Sequence, residues 1–419
     1  MRFFFPDSQD QVDPNFDFDT EEHNPFRVRQ RDDLYAHEVL TGAPFDGLLV
    51  SKAIVDGQAG SSAGKYTVAQ RHRLYREGAR QFFRLDHGHT PLKIMGDCGA
   101  FSYVSEVRPP YTVDEVIDFY AGCGFDYGIS VDHVIFQYDP AASTEKARDE
   151  GWAERQRITL ELAERFLDRC ETRRARFIPY GVAQGWSPAS YAEAVSKLQD
   201  LGYRHIALGG MVPLKSRDIL ACLAVIKQVL RDDMEVHLLG ISRCDDVPKF
   251  AEGGVTSFDS TSPFRQAFKD DRDNYYTPSR TYVALRVPQV DGNAKLKARI
   301  RSGEISQGTA MSLEREALEQ LRQYDQDRTD VDSVVRALAR YSEVWDGKSD
   351  RNGQYRETLT DRPWRNCSCD LCRRHGIEIA IFRGSERNKR RGFHNLYVFE
   401  QQLRARQEGR TLRDRDLRV

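Results

Sequence analysis

Three cysteines stand close together in Cys367-Ser368-Cys369-Asp370-Leu371-Cys372, which puts three thiolates on one tight loop. Zinc takes four ligands in a tetrahedron, and structural sites close all four positions with Cys and His. A fourth ligand must therefore come from elsewhere in the chain. His375 is near in sequence, but so short a tether would strain a tetrahedron. His394 lies 22 residues beyond Cys372, at the start of the last predicted helix, and is the preferred ligand. A site closed by four protein ligands leaves no open position, so the expected zinc is structural. It should tie the Cys367–Cys372 loop to the final helix and hold that end of the chain in place. The competing reading is three incidental cysteines. The other five (Cys98, Cys123, Cys170, Cys222 and Cys244) are scattered singly, so only the cluster reads as a metal site.

A second set of polar residues follows short aliphatic runs: Asp97, Asp132, Gln184, Gly209-Gly210 and Asp259. Paired carboxylates in different surroundings can divide nucleophilic and acid/base work. Each has an ordinary structural alternative. Asp132 could cap a loop, Gln184-Gly185 could be turn chemistry, and Phe101 near Asp97 could be core.

The elements that would carry these residues alternate in type. Strands are predicted at Phe45–Val50, Leu92–Met95, Tyr127–Val131, Phe177–Val182, His205–Leu208, Val236–Gly240 and Val255–Phe258. Between them lie helices over 68–83, from Thr112 to about Gly122, 144–172, from Ser187, 216–231 and 247–252. Thr112 with Glu115 forms a capping box, and Ser187 caps a helix with Pro188 at its first position. Seven strand–helix units imply an α/β fold with a parallel sheet. An open doubly wound sheet and a closed (β/α)8 TIM barrel both fit. No glycine-rich phosphate fingerprint follows the first predicted strand, and polar residues at five strand ends suit the C-terminal face of a barrel. The chain divides into a core over 1–289, a helical insertion over 290–350 with helices near 312–324 and 331–345, and a zinc-binding subdomain over 351–419. That subdomain carries the final barrel helix, predicted near 395–408.

Composition sets limits. The 419 residues are 40% hydrophobic and 30% charged, with a net charge of −2. The Met1-Arg2-Phe3-Phe4-Phe5-Pro6 start has an apolar run too short for a signal peptide, and no run is long enough to cross a membrane, so a cytoplasmic location is expected. Residues 373–419 hold thirteen Lys/Arg against six Asp/Glu, whereas 7–22 are acidic. The basic end suits either a phosphate backbone or a solvated, charge-laced helix.

Taken in order, these motifs resemble the tRNA-guanine transglycosylases. The Cys-x-Cys-x-x-Cys with a distant His394-Asn395-Leu396 is similar to that family's zinc signature. Asp97-Cys98-Gly99-Ala100-Phe101 resembles its first catalytic segment, and Gly254-Val255-Thr256-Ser257-Phe258-Asp259-Ser260 its second. Asp132, Gln184-Gly185 and Gly209-Gly210 match its base-recognition segments. The likeness spans roughly 45–270 and 365–405. It implies a (β/α)8 barrel with a zinc subdomain, and a pentosyltransferase that replaces guanine in a polynucleotide with a 7-deazaguanine. It also implies Asp259 as nucleophile and Asp97 as general acid/base. Phe101 and Leu239 would sandwich the base, Asp132 would accept its N–H donors, and Gln184 with the Gly210 backbone would read its carbonyl.

Several segments depart from the tRNA enzymes. Cys98 stands where they have a base-contacting serine, Met211-Val212-Pro213-Leu214 follows the Gly-Gly pair, and compact bacterial tRNA enzymes lack the 290–350 insertion. Gly99-Ala100-Phe101-Ser102-Tyr103 and Gly209–Leu214 resemble the DNA-guanine transglycosylase branch. That likeness implies insertion of 7-cyano-7-deazaguanine (preQ0) into DNA with guanine as product, within a DNA modification and restriction system whose other proteins are candidate partners. Exchange in tRNA is the alternative, as is a non-catalytic partner subunit. Retention of both Asp97 and Asp259 argues against the last.

Overall fold

The computed structural model describes all residues except 59–61, 87–90, 143, 242, 270–271, 349 and 414–419. Two compact units are present. The first comprises Met1–Gln9 and Phe45–Thr261, and the second Asp10–Pro44 and Ser262–Val419.

The first unit is a closed eight-stranded parallel barrel, as the strand-end pattern predicts. Its strands are β1 (Arg2–Pro6), β2 (Gly47–Ser51), β3 (Lys93–Asp97), β4 (Tyr127–Ile129), β5 (Ile178–Ala183), β6 (His205–Leu208), β7 (Glu235–Leu238) and β8 (Val255–Asp259). Each pairs with its sequence neighbours, and β1 closes the ring against β8, with Phe4 opposite Asp259. Sequence reading found seven of these strands and missed β1. Its Arg-Phe-Phe-Phe-Pro run has no polar alternation because both faces are buried, as parallel-sheet strands require. Phe3 stacks on Phe258 and Phe5 on Phe45, while Phe4 meets Tyr127 and His237 edge-on. Phe4, Leu49, Met95, Tyr127, Ile129, Tyr180, Val182 and Ala207 make a core cluster against which Leu239 packs.

Helices α1 (Val68–Glu77), α2 (Val113–Cys123), α3 (Trp152–Thr172), α4 (Pro188–Leu201), α5 (Ser216–Val229) and α6 (Val247–Glu252) lie between the strands in sequence. Both predicted caps form. Thr112 Oγ1 accepts from Glu115 N at 3.2 Å while Glu115 Oε2 accepts from Thr112 N at 2.7 Å, and Ser187 caps α4 through Ser190 N. Such a cap contributes about 1 kcal/mol. The helix predicted over 144–172 is broken, with α3 beginning only after Gly151 in the left-handed region (φ 75°).

The second unit is mainly helical. It includes α7 (Ser262–Lys269), α8 (Gln307–Asp325), α9 (Val331–Trp345), α10 (Asp370–His375) and α11 (Gly384–Gln407). The last helix starts well before the predicted 395, so His394 sits within it rather than at its start. The reason is burial of charge. Arg383, just before α11, and Arg387, Arg390 and Arg391 within it are all buried in what reads as a polar linker. Arg383 and Arg387 pair with Glu21, Arg387 also with Glu378, and Arg390 with Glu386. Arg391 donates to the carbonyls of Ile381 and Ala267. Four of the basic residues assigned to a possible phosphate-binding surface are therefore internal. Among the described residues no helix is long and apolar enough to cross a membrane.

Candidate active site and metal centre

The C-terminal ends of the barrel strands carry the predicted site residues. Asp97 ends β3 and Asp259 ends β8, while Asp132, Gln184, Gly209-Gly210 and Leu239 follow β4, β5, β6 and β7. Strand ends are rigid attachment points, and the loops beyond them supply the variable contacts.

Asp97 is partly accessible yet deeply set. Burial, then the charge of Asp132 and more weakly that of Asp259, push its carboxyl up to about 7, against hydrogen bonds from Gly99 N–H and Ser51. A carboxyl in that range can give and take a proton near neutrality. Asp259 is buried and differently held. Its Oδ1 accepts from Gly240 N at 2.9 Å and faces His237 Nε2 at 3.2 Å. A carboxylate oxygen only accepts, so Nε2 must carry the proton of that contact. His237 Nδ1 meets Ser257 Oγ at 2.9 Å, which fixes the ring from the other side. These bonds leave Oδ2 of Asp259 clear of both donors.

Sequence reading did not single out His237. It lies in β7, in an unremarkable Glu-Val-His-Leu run. Its one visible signal is strand register: it pairs with Ser257 on β8, two residues before Asp259.

Asp132 anchors the group of residues expected to meet the base. Its Oδ1 accepts from the Cys98 thiol at 3.2 Å and its Oδ2 from Gln184 Nε2 at 2.7 Å. Burial pushes Asp132 up to about 6, opposed by those two bonds. Tyr103 OH lies 2.9 Å from Cys98 Sγ and donates to the Asp132 carbonyl at 3.2 Å. Burial holds the Cys98 thiol well above its usual range, so it remains a donor. Gln184 is held in turn, its Oε1 accepting from Ile135 N at 3.2 Å and its backbone carbonyl from Gln156 Nε2 at 2.8 Å. One amide N–H of Gln184 is thus committed to Asp132 rather than to a ligand.

Gly209 and Gly210 are required by this arrangement. A Cβ on Gly209 would lie 2.2 Å from Gln184 Nε2. Gly210 has φ +74°, and a Cβ there would lie 2.2 Å from the Ile135 carbonyl. The Gly209 carbonyl accepts from Tyr191 OH at 2.7 Å. Phe101 is 54% exposed, so it is not core, and its ring lies 5.0 Å from that of Phe136. Leu239 is partly buried against the barrel core.

In the second unit the structure brings Cys367, Cys369, Cys372 and His394 together, all four buried. The three sulfurs lie 3.5, 3.5 and 3.4 Å from His394 Nδ1. A tetrahedral ion with zinc-like bond lengths would set each sulfur–nitrogen separation at about 3.6 Å, so the donor set fits such an ion. His394 Nε2 faces the Tyr276 carbonyl at 2.9 Å, which directs the proton to Nε2 and leaves Nδ1 free to ligate. Tyr275 OH lies 3.1 Å from Cys372 Sγ. His375 is not part of the group and packs edge-on against Phe18.

A DNA-guanine transglycosylase from Salmonella montevideo is 48% identical over 410 residues, covering 96% of each chain. A tRNA-guanine(15) transglycosylase from Thermococcus onnurineus (strain NA1) is 31% identical over 191 residues, covering 44% of this chain and 30% of the relative. Residues 76–408 match the family described as Queuine tRNA-ribosyltransferase. The chain belongs to that transglycosylase family and is a guanine-exchanging pentosyltransferase.

Proposed function

We propose that this chain is a DNA-guanine transglycosylase that exchanges guanine in DNA for preQ0 through a covalent Asp259 intermediate. The observation that carries the chemistry is the unequal setting of the two catalytic carboxylates. Asp259 has one oxygen fixed by Gly240 N–H and His237, with Oδ2 clear of them. Asp97, pushed up to about 7, is poised to transfer a proton. In the first half-reaction Asp259 Oδ2 attacks C1′ as the bond from C1′ to guanine N9 breaks, and Asp97 gives its proton to the departing base. In the second, Asp97 takes the N9 proton of preQ0, N9 attacks C1′, and the bond to Asp259 breaks. Phe101 and Leu239 are assigned to the two faces of the base. Asp132, held by Cys98 and Gln184, accepts its N–H donors, and the Gly210 backbone reads its carbonyl.

DNA as the polynucleotide is supported by the extent of the likeness to the DNA-guanine transglycosylase, nearly end to end in both chains. Exchange in tRNA is the second reading, favoured by the shorter match to the archaeal enzyme. Labelled guanine offered with DNA and with tRNA separately tests the choice. Incorporation into DNA by the purified chain is expected; incorporation into tRNA alone would refute the assignment. A step in a DNA modification and restriction system follows from the DNA reading, with other proteins of that system as partners. The Cys₃His group is assigned to structural zinc held by Cys367, Cys369, Cys372 and His394. A bound ion would cross-link the 367–372 loop to α11, with no place for substrate among four protein ligands.

A further inference from the structure

A target base inside a duplex cannot reach a barrel-mouth pocket until it leaves the stack, and something must fill or stabilise the gap. The loop after β3 has the features of such a device. Beyond Phe101 and Tyr103 the chain runs Val104-Ser105-Glu106-Val107-Arg108-Pro109-Pro110. Val107 is 88% exposed. One exposed valine is ordinary on a protein surface; what sets this one apart is the bracing beneath it. Arg155 donates to the Val104 carbonyl at 2.9 Å and to the Val134 carbonyl at 2.9 Å. Its Nη1 also lies 2.8 Å from His133 Nδ1, and His133 Nε2 lies 2.9 Å from the Glu106 carbonyl. Guanidinium only donates, so His133 Nδ1 accepts and Nε2 carries the proton donated to Glu106. Burial, then the Arg155 charge, lowers the His133 pKa, which keeps the ring in that neutral tautomer. His133 directly follows Asp132, so the loop is fixed to the strand end that carries base recognition. On its far side Pro109 and Pro110 stiffen the return. Arg108 beside Val107 is exposed.

We propose that the 104–110 loop is a strand-opening wedge, with Val107 entering the base stack where the guanosine has left and Arg108 meeting an adjoining phosphate. This inference rests on the DNA reading. Apolar side chains inserted at base steps are an established way to hold a duplex open. A rigid loop suits the task better than a mobile one, because the ordering entropy is already spent in folding.

The test measures labelled-guanine exchange into a paired duplex and into the same target strand alone, for the wild type, Val107→Ser and Val107→Leu. Because Val107 is so exposed, neither substitution touches the fold's interior. Val107→Ser should slow exchange in the duplex by about tenfold or more while staying within about twofold on the single strand, and Val107→Leu should retain duplex activity. Equal slowing on both substrates, or wild-type rates for Val107→Ser on the duplex, would overturn the wedge. A wild type that exchanges guanine into tRNA but into neither DNA would overturn the DNA reading itself, and the wedge with it.

Discussion

Replacing His237 should slow formation of the covalent intermediate without weakening base binding. The ring is fully buried in the barrel, with Nε2 3.2 Å from Asp259 Oδ1 and Nδ1 2.9 Å from Ser257 Oγ. Removing it leaves Gly240 N–H as the described donor to that oxygen. A hydrogen bond to a charged group contributes about 1.5–3 kcal/mol. The separation here is long for a charge-assisted bond, so the lower half of that range applies. At 1.4 kcal/mol per factor of ten, the expected loss is about 10–40-fold. His237→Phe is the variant of choice, since a ring of similar size limits the cavity that Ala would leave. The assay is single-turnover formation of the protein–polynucleotide adduct, followed on denaturing gels, together with steady-state guanine exchange. His237→Phe should lower the adduct rate by about 10–40-fold and leave the KM for guanine within about twofold. His237→Gln, which keeps an N–H donor, should recover part of the rate. An unchanged adduct rate, or a loss that follows only the fall in Tm across the variants, would refute the positioning role.

Three further outcomes follow. Asp97 has a raised pKa, so the proton it binds stabilises the folded chain fully below its usual value of 3.8, and this contribution is lost as pH rises through about 7. The Tm difference between pH 5 and pH 8 should therefore shrink in Asp97→Asn, and guanine release by the wild type should fall off above about pH 7. Removing the metal by chelation, or substituting Cys369→Ala, should lower the Tm by about 10 °C or more, with activity falling only as the fold is lost; activity lost at an unchanged Tm would contradict a structural ion. Gly210→Ala places a Cβ against the Ile135 carbonyl at positive φ, so the KM for the incoming base should rise by about tenfold. An unchanged KM would separate Gly210 from base recognition.

The barrel was legible because its strands are short aliphatic runs between capped amphipathic helices, and Thr112 and Ser187 marked helix starts that the structure reproduces. Strand β1 escaped because Phe3, Phe4 and Phe5 are all buried, so the run shows no polar alternation to mark it as a strand. The start of α11 escaped because its first turns bury arginines against glutamates distant in sequence, and a polar run reads as linker until its partners are known. The three cysteines of the group that could hold a metal ion were legible from their spacing, and His394 from its distance beyond them. His237 was not, since its role depends on cross-strand register with Ser257 and on the ring reaching Asp259. The bracing of the 104–110 loop by His133 and Arg155 was hidden for the same reason: its bonds run to backbone carbonyls, which leave no trace in side-chain patterns.

Trapping the intermediate addresses both the nucleophile and the substrate at once. The wild-type chain is mixed with DNA in the absence of an incoming base, quenched in acid, and digested for mass spectrometry. The expected result is a deoxyribose-linked adduct on the peptide containing Asp259, absent from Asp259→Ala. An adduct on a peptide carrying Asp97 instead, or one that forms with tRNA and never with DNA, would contradict it.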